Sequence, residues 1–523
     1  MEKIQTYTEI PAEKFTFAQA DKKLGDKKLQ TKPVSYMRDA WRRFAKNKSS
    51  IVGMVIIAVL LLFALIAPMV SNYSIAYNDG YYRNVLPKVS AHADGGFWDG
   101  TKRYESNLAT YQYNYAIGLE SGRLAVKDFY GTQVVASSSG SSVLYSYRFD
   151  TYNAVGYEFV TLTSEQLNAL QEYQNETNIQ VIYPMLDTST RNQVMYNTTD
   201  ANYWYKTVID VTRPNNGQAV LDENGNYIPL YLTGSATVYN LYNSLRIKGD
   251  PGLEDPTSAD SYLYYRVVQG GYRVRVIYYE YYTYINGFEP CHIFGASASG
   301  QDLFTLVAAG TRFSLMLAVG VAVVNLIIGA IYGAIEGFYG GKLDLFMERI
   351  ADILNGVPFM VVAVLFNMHL AATAGVVGAL LFAFVLTGWI GTAATVRMQF
   401  YRFKKQEYVL AAKTLGARDR RLIMKHIFPN SLGTIITSAA LYIPSVIFSE
   451  TSLSYLGVIS LNDTSNGIIS LGTLLTAGQG AISTYPHIVL FPALVIALLM
   501  ISFNLFGNGL RDAFNPSLRG SDS

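Results

Sequence analysis

The sequence predicts an all-α polytopic membrane protein with six transmembrane helices and one inserted α+β domain outside the membrane. Charged residues make up only 15% of the 523 residues, against about 25% in soluble globular proteins. Uncharged runs long enough to cross a bilayer recur along the chain. More than 200 residues of water-compatible composition separate the first two runs. Much of the chain is therefore expected to face something other than water, and one domain is expected in water.

Six uncharged, apolar segments are predicted to cross the membrane. About 20 apolar residues in a helix cover a hydrocarbon core of roughly 30 Å, and the run 51–70 has that length. The run 353–396 holds 44 uncharged residues, enough for two helices with a tight turn near 373–375. The predicted spans are 51–70, 313–335, two within 353–396, 431–449 and 488–510.

The distribution of Lys and Arg predicts the orientation, because positively charged short loops tend to stay in the cytoplasm. Residues 1–48 hold 12 Lys/Arg against 6 Asp/Glu, and the segment 397–430 holds 9 against 2. The segment 71–290 holds 15 against 22. We therefore expect both termini in the cytoplasm and the acidic insert outside.

The predicted organisation is a cytoplasmic segment with an interfacial helix (1–48), the first transmembrane helix (49–72), the external insert (73–290), a core with the other five transmembrane helices (291–515) and a cytoplasmic tail (516–523).

The external insert holds 31 of the 40 tyrosines and shows the patterns of an α+β domain. Alternating residues on both sides of a glycine turn predict a hairpin of 262–268 with 272–278. A second turn is expected at 222–226, and Thr163 with Gln166 can cap a helix reciprocally. We interpret most tyrosines as half-buried strand residues, although such clusters could also bind peptide or glycan by stacking.

Some single residues allow a structural or a functional interpretation. The one cysteine, Cys291, excludes an intramolecular disulfide and is interpreted as a packing thiol. Glu450, at the predicted outer end of the fifth span, is interpreted as a hydrogen-bond acceptor at the water interface, although an acid near lipid often marks function. Charged residues between spans two and three are expected to form intrahelical pairs; they are Asp344, Glu348, Arg349 and Asp352.

The basic segment 397–430 between spans four and five carries the most specific pattern. Two alanines in a predicted apolar helix stripe would let a partner approach closely; the stripe is Tyr408, Ala411, Ala412 and Leu415. Gly416 can leave the helix in the left-handed region, and Pro429 can begin the next helix. We expect a short helix beneath the membrane, a turn and then span five. The alternative is a basic loop that pairs with lipid phosphates.

This segment resembles the EAA loop of bacterial ABC-importer permeases, in the variant of dipeptide and oligopeptide systems. The matching residues are Tyr408, Val409, Ala411, Ala412, Gly416, His426, Ile427, Pro429 and Asn430. Leu410 stands where the family has the acidic residue that names the motif. Further similar segments, in the family's order, lie around Trp41 and at 292–295, 300–304, 450–457 and 503–516. The chain is most similar to the C-type permease subunit.

The resemblance implies an ABC type I importer permease fold and a role as one half of a translocation pathway for peptides. It implies docking on a cytoplasmic ATPase through Glu407, Tyr408, Ala411, Ala412, Leu415 and Gly416. It implies structural roles for His426, Pro429, Asn430, Glu450, Gly457, Asn504, Arg511 and Asp512. The implied partners are a second permease, two ATPase subunits, an external substrate-binding lipoprotein, the peptide and membrane lipid, with no nucleic acid.

ATP and Mg²⁺ are expected on the ATPase subunits, so that this chain is expected to be no enzyme and to hold no cofactor or metal. Its segment 340–343 lacks both the earlier Gly and the Ser/Thr after Lys that a phosphate-binding loop requires. The resemblance implies a multi-pass protein of a bacterial plasma membrane.

Two features depart from the family and leave alternatives open. In the family pattern just before span two, Pro, Thr, Asp and Arg are replaced here by Ile293, Ala296, Ser297 and Gln301, respectively. These replacements bear on the contacts that the external partner makes there. The tyrosine-rich insert is an addition. The same motifs would fit a nickel or glutathione importer. In a different class, a membrane-anchored sensor or adhesion protein would bind a ligand with the insert.

Overall fold

The fold is described from a computed structural model of the chain. It covers residues 36–92, 95–137, 140–188, 199–208, 217–234, 245–255 and 257–514. The first 35 residues of the predicted cytoplasmic segment and the predicted tail 516–523 lie outside the described residues.

The helices dominate both ends of the described chain. Those before the second membrane span are α1 (Tyr36–Lys46), α2 (Lys48–Val70), α3 (Leu108–Ala116), α4 (Ser164–Thr177) and α5 (Tyr278–Asn286). Those that follow are α6 (Leu303–Tyr339), α7 (Gly341–Asn355), α8 (Phe359–Gly388), α9 (Ile390–Lys404), α10 (Glu407–Thr414), α11 (Asp419–Arg421), a π-helix (Leu422–Ile427), α12 (Phe428–Tyr455), α13 (Leu471–Gly478) and α14 (His487–Phe514).

The strands lie mainly between α2 and α6. They are β1 (Thr101–Ser106), β2 (Val126–Ser137), β3 (Gly140–Asp150), β4 (Tyr157–Leu162), β5 (Ile182–Tyr183), β6 (Thr207–Val208), β7 (Gln218–Ala219), β8 (Tyr265–Val268), β9 (Gly271–Ile277), β10 (Asn462–Asp463) and β11 (Ile468–Ile469). One antiparallel sheet has the order β1-β3-β2. In a second sheet β9 pairs with β4, β5 and β8. Strands and helices together make the insert an α+β domain.

The local patterns predicted in the insert are confirmed. Strands β8 and β9 form the expected hairpin, with Val268 opposite Gly271. Thr163 and Gln166 cap α4 reciprocally, as a capping box requires. The expected turn at 222–226 is closed by a bridge between Leu221 and Tyr227.

The tyrosines of the insert are buried more deeply than predicted. Several are fully buried, and not only on strands: Tyr82 lies in a loop, Tyr152 follows β3, and Tyr282 lies on α5. The interpretation as half-buried strand residues is therefore wrong for this group. Their rings pack around Tyr82: that of Tyr282 meets it edge to face with centroids 5.3 Å apart, and that of Tyr152 is tilted against it at 5.6 Å. An aromatic core of this kind stabilises the insert without disulfides.

Five helical segments in the described residues are long and apolar enough to cross a membrane. One of them, Phe359–Lys404, contains two predicted spans. Gly375 interrupts α8 with φ 74° and ψ 163°, and the rings of Phe359 and Phe384 lie 4.8 Å apart on either side of it. Since 25 residues of straight helix would span roughly 37 Å, the chain folds back at Gly375. The predicted turn near 373–375 is confirmed.

The third span begins at Phe359, inside the uncharged run 353–396. Ile353 belongs to α7, and the next helix begins at Phe359 after a short break that contains Pro358. Proline disfavours a helical conformation of the residue before it. The charged helix α7 is therefore a separate element between the second and third spans.

Helix α6 packs on α9 through three glycines spaced four residues apart. A β-carbon on Gly329, Gly333 or Gly337 would lie 2.7, 2.2 or 2.8 Å from the backbone oxygens of Trp389, Ala393 and Arg397, respectively. Only glycine permits this separation, and small residues at such spacing are typical of close helix contacts in membranes. The two helices therefore touch backbone to backbone along most of α9.

The insert is tied to the helical core by pairing of its two ends. Backbone amides of Asp79, Asn84 and Lys88 donate to carbonyl oxygens in the segment 292–300, at 3.0, 3.1 and 2.8 Å. Aromatic contacts continue the junction: the rings of Phe294 and Phe491 are stacked with centroids 4.1 Å apart. The insert is thus seated on the adjoining ends of α6 and α14.

Candidate functional site

The candidate site is the short helix α10 between α9 and the π-helix. Val409 points inward, 2% exposed, and packs with Phe338 of α6 and Phe400 of α9. The opposite face is open, with Tyr408 42% and Leu415 88% exposed. This arrangement leaves one apolar face of α10 available to another molecule.

The predicted apolar stripe needs one correction. Glu407, Tyr408, Ala411 and Leu415 are exposed, but Ala412 is half-buried and packs into the same inner cluster as Val409. Helical periodicity placed Ala412 beside Tyr408 but could not show that the loop folds back on α6 and α9. The exposed face is therefore narrower than the stripe predicted from sequence.

The end of α10 has the predicted geometry. Gly416 has φ 80°, in the left-handed region that favours glycine. The amide of Gly416 donates to the carbonyl oxygen of Lys413 at 3.0 Å, and the amide of Ala417 to that of Ala412 at 3.1 Å. These bonds satisfy carbonyl groups that a helix end leaves without partners.

The entry into span five differs from the prediction. We expected a turn and then a new helix begun by Pro429, but the chain is helical from Asp419 and passes through the π-helix into α12. Pro429 lies in the first turn of α12. Proline has no amide hydrogen and its ring clashes with the carbonyl group four residues earlier, and a wider π-turn accommodates both effects. The chain from Asp419 to Tyr455 is consequently one continuous helical rod, separated from α10 by the turn at Gly416.

Asn430 links that rod to α10. Its Nδ2 donates to the carbonyl oxygen of His426 at 2.7 Å and to the hydroxyl of Tyr408 at 3.3 Å. His426 therefore takes part through its backbone carbonyl group. Partial burial raises the pKa of Tyr408. The three residues connect the outer face of α10 to the base of α12.

The strongest charged contact near the loop was not predicted. Arg397 of α9 donates to Asp344 from Nε at 2.6 Å and from Nη2 at 3.0 Å. It also donates to Glu348, from Nη1 at 2.7 Å and from Nη2 at 3.0 Å. The expectation that Asp344 and Glu348 form intrahelical pairs is wrong, whereas the exposed pair of Arg349 with Asp352, at 3.0 Å, is confirmed. The spacing of four residues between the two acids was the available signal, because it places both on one helix face.

Glu450 is an acceptor, as predicted, but it does not lie at a water interface. It is 1% exposed and accepts hydrogen bonds from Ser314 of α6 at 3.2 Å and from Ser454 at 3.1 Å. Two hydroxyl donors offset the cost of burying the carboxyl group. Gly457, just beyond α12, has φ 72° and lets the chain turn away.

The remaining predicted motif residues lie on α14, away from α10. Asn504 donates to the carbonyl oxygen of Met500 within the helix at 2.8 Å. Arg511 and Asp512 are exposed neighbours whose closest charged atoms are 4.0 Å apart. On the same helix Phe506 meets Phe44 of α1 edge to face, with centroids 5.4 Å apart.

The departures from the family pattern before α6 form a compact turn. The Oγ of Ser297 accepts the amides of Ser299 and Gln301, at 3.2 and 3.1 Å. Gly300 has φ 78°, and a β-carbon on it would lie 1.7 Å from the carbonyl oxygen of Asp79. The altered residues therefore build the contact between the helical core and the start of the insert.

Comparison with known sequences identifies two matched regions. Residues 325–520 match the binding-protein-dependent transport system inner membrane component. Residues 35–87 match the N-terminal transmembrane domain of oligopeptide transport permease C. The segment between them contains most of the insert.

Individual relatives cover the helical core. The oligopeptide transport system permease protein OppC of Bacillus subtilis (strain 168) is 42% identical over 228 residues, which are 44% of this chain and 72% of that protein. The dipeptide transport system permease protein DppC of the same organism is 39% identical over 229 residues, 44% of this chain and 69% of that one. Among solved structures, an inward-facing MetNI methionine ABC transporter is 15% identical, covers 40% of this chain and 96% of that chain, and has a TM-score of 0.32.

These findings define the class of protein. The chain is a membrane permease of the ABC importer type, with an ABC type I importer permease fold and an inserted α+β domain, as predicted. It belongs to the family of oligopeptide and dipeptide transport permeases of the C type. Members of this family are permeases and not ATPases, and the chain is a multi-pass plasma-membrane protein.

Proposed function

We propose that this chain forms one half of a peptide translocation pathway and pairs with a second permease subunit. Two cytoplasmic ATPase subunits bind and hydrolyse ATP with Mg²⁺ and act on the permease pair. An external substrate-binding lipoprotein delivers the peptide. The chain itself binds no nucleotide, cofactor or metal in this scheme.

The observation that carries the proposal is the open face of α10. A helix whose inner face is fixed by Val409 and whose outer face exposes Leu415 and Ala411 is built to meet a partner. An exposed leucine next to small residues is typical of a groove-binding helix. Because the inner face packs on α6 and α9, a force on α10 reaches the membrane helices directly.

The charge pattern supports a cytoplasmic location for α10 and both termini, and an external location for the insert. Nine Lys/Arg against two Asp/Glu lie in 397–430, whereas acids exceed bases in 71–290. The ATPases and the loop then share one compartment, and the insert shares the other with the delivering lipoprotein.

The docking test uses two neighbouring positions on α10 and one introduced side chain. Ala411→Glu places a bulky acid on the exposed face that the alanine leaves open, and overpacking costs about 1–3 kcal/mol. We expect peptide uptake and co-purification of the ATPase subunits to fall together, while membrane insertion is unchanged. Leu410→Glu adds the same side chain one position away and restores the family's acid, so it should be tolerated. Equal loss in both variants, or in neither, would contradict docking at Ala411.

The cargo is tested by competition. Cells that depend on this permease for a labelled short peptide should lose uptake when unlabelled peptides of similar length are added. Nickel or glutathione in excess should leave uptake unchanged. Competition by either of these, with none by peptides, would assign the cargo to the corresponding relative.

A further inference from the structure

Helix α9 contacts α6 and α7 along its length, and Arg397 makes the main polar contacts near its cytoplasm-facing end. Its guanidinium group makes four hydrogen bonds to two carboxylates of α7. Tyr401, one turn further on, donates to Asp344 as well, and Lys404 donates to the carbonyl oxygen of Phe338. Together with the glycine contacts, these bonds join α6, α7 and α9.

The joined helices end directly at the exposed loop. Only Lys405 and Gln406 separate α9 from α10, and the amide of Gln406 donates to the carbonyl oxygen of Phe403 at 3.1 Å. Val409 rests on two of these helices, on α6 through Phe338 and on α9 through Phe400. A displacement of α10 is therefore passed to α9 without a flexible linker.

We infer that Arg397 is a positioning residue that locks α7 and α9 to α6, so that movement of α10 displaces these helices as one body. This inference rests on the proposed function, because it describes how ATPase closure would reach the pathway. It assigns the moving unit to α9 together with α6 and α7, which precede α9 in the chain.

The chemistry of the contact requires arginine. A planar guanidinium group presents several donors in a fixed fork and can satisfy two carboxylates at once, whereas lysine presents a single point charge. The Arg397 side chain is 24% exposed and that of Asp344 11%, so that solvent screens the pair only in part. The hydrogen bond from Arg397 lowers the pKa of Asp344, which keeps that carboxylate charged.

The test compares Arg397→Lys with Arg349→Lys in the assembled transporter. Both substitutions keep the positive charge, but among the described residues Arg349 forms only an exposed pair, with Asp352 on the same helix α7. For Arg397→Lys we expect peptide uptake per assembled complex to fall about tenfold or more, the equivalent of one lost charge-assisted hydrogen bond. ATPase association and hydrolysis should persist. Arg349→Lys should match the unmodified protein.

A second readout needs no ATPase. Hydrogen exchange of the backbone amides in α10 should become about tenfold faster in Arg397→Lys, since opening of the loop loses one restraint, and should stay unchanged in Arg349→Lys. If Arg397→Lys assembles poorly, Glu348→Gln is measured in the same way. This substitution removes one of the two carboxylates that bind Arg397, at a residue that is 38% exposed.

The outcomes separate the two proposals. Unchanged uptake per complex together with unchanged exchange would overturn the positioning role. A lower yield of complex with normal uptake per complex would also overturn it and leave only a folding role. Failure of any ATPase to associate with the unmodified chain would defeat the proposed function, and the exchange comparison would still decide whether Arg397 holds α10.

Discussion

The fold of the insert should depend on one buried ion pair, that of Arg275 with Glu120. The Arg275 side chain is fully buried on β9 and that of Glu120 is 4% exposed. Nη2 and Nη1 donate to the two carboxylate oxygens at 2.7 and 3.0 Å, and Nε donates to the carbonyl oxygen of Ala201 at 2.6 Å. The guanidinium carbon lies 3.9 Å from the ring centroid of Tyr157. The pair thus connects β9 with two loops and an aromatic ring.

Arg275→Met removes the cation and leaves a buried carboxylate whose remaining described partner is the hydroxyl of Tyr231. Breaking a buried pair on one side costs about 3–5 kcal/mol. For a domain of this size 1 kcal/mol shifts Tm by roughly 2–4 °C. We therefore expect the transition of the insert to move down by roughly 6–20 °C.

The assay is a thermal scan of the full chain in detergent. Unfolding of the insert is monitored by tryptophan fluorescence and by its susceptibility to protease cleavage. Arg103→Met is the control, because Arg103 is 68% exposed and lies 3.8 Å from Glu105, and surface pairs contribute only about 0–1 kcal/mol. Adding Glu120→Leu to Arg275→Met should recover much of the lost thermal stability, since the buried carboxylate of this pair is then removed as well. Equal shifts for Arg275→Met and Arg103→Met would refute the reasoning.

Three further predictions concern the helix contact, a titrating group and the topology. Gly333→Ala should lower the thermal stability of the purified chain by about 1–3 kcal/mol through overpacking against Ala393. Gly320→Ala should not, because no atom of the described residues lies within 4 Å of the added carbon; equal scans would contradict the close contact. Burial, with a smaller effect of Asp200, raises the pKa of Glu158 from 4.5 to about 7, so that the folded state holds the proton more tightly and stability falls as pH rises between these values. Glu158→Gln should flatten that part of the stability profile between pH 5 and 8, as checked by thermal scans, and an unchanged slope would argue against it. In a Cys291→Ser background, a cysteine replacing Asn224 should react with an impermeant thiol reagent on intact cells and one replacing Lys413 should not; labelling of the latter would overturn the proposed topology.

Sequence reasoning succeeded where the pattern is local. The hairpin turn at Gly270 and Gly271 and the capping of α4 by Thr163 and Gln166 depend on neighbours a few residues away, and both were predicted correctly. The turn at Gly375 was predictable for the same reason, because one uncharged run was too long for a single crossing.

The errors concern contacts between distant segments. Helical spacing put Ala412 and Tyr408 on one stripe, but burial of Ala412 depends on where α6 and α9 lie. The partners of Asp344 and Glu348 are 53 and 49 residues away on α9. Glu450 is shielded by Ser314 of a different helix. Helical spacing can place such residues on one face, but it does not identify the distant segment that they contact.

The pairing between the two ends of the insert explains how a permease accommodates an added domain. The family match to the N-terminal transmembrane domain ends at residue 87, and the paired segment runs from Asp79 to Lys88. One side of the contacts with 292–300 therefore lies almost entirely within this family match, and most of the insert follows it. An insertion whose two ends already lie side by side imposes little strain on its host. Beyond the paired segment, the amide of Val89 donates to the carbonyl oxygen of Trp98 at 2.8 Å and continues the chain into the insert.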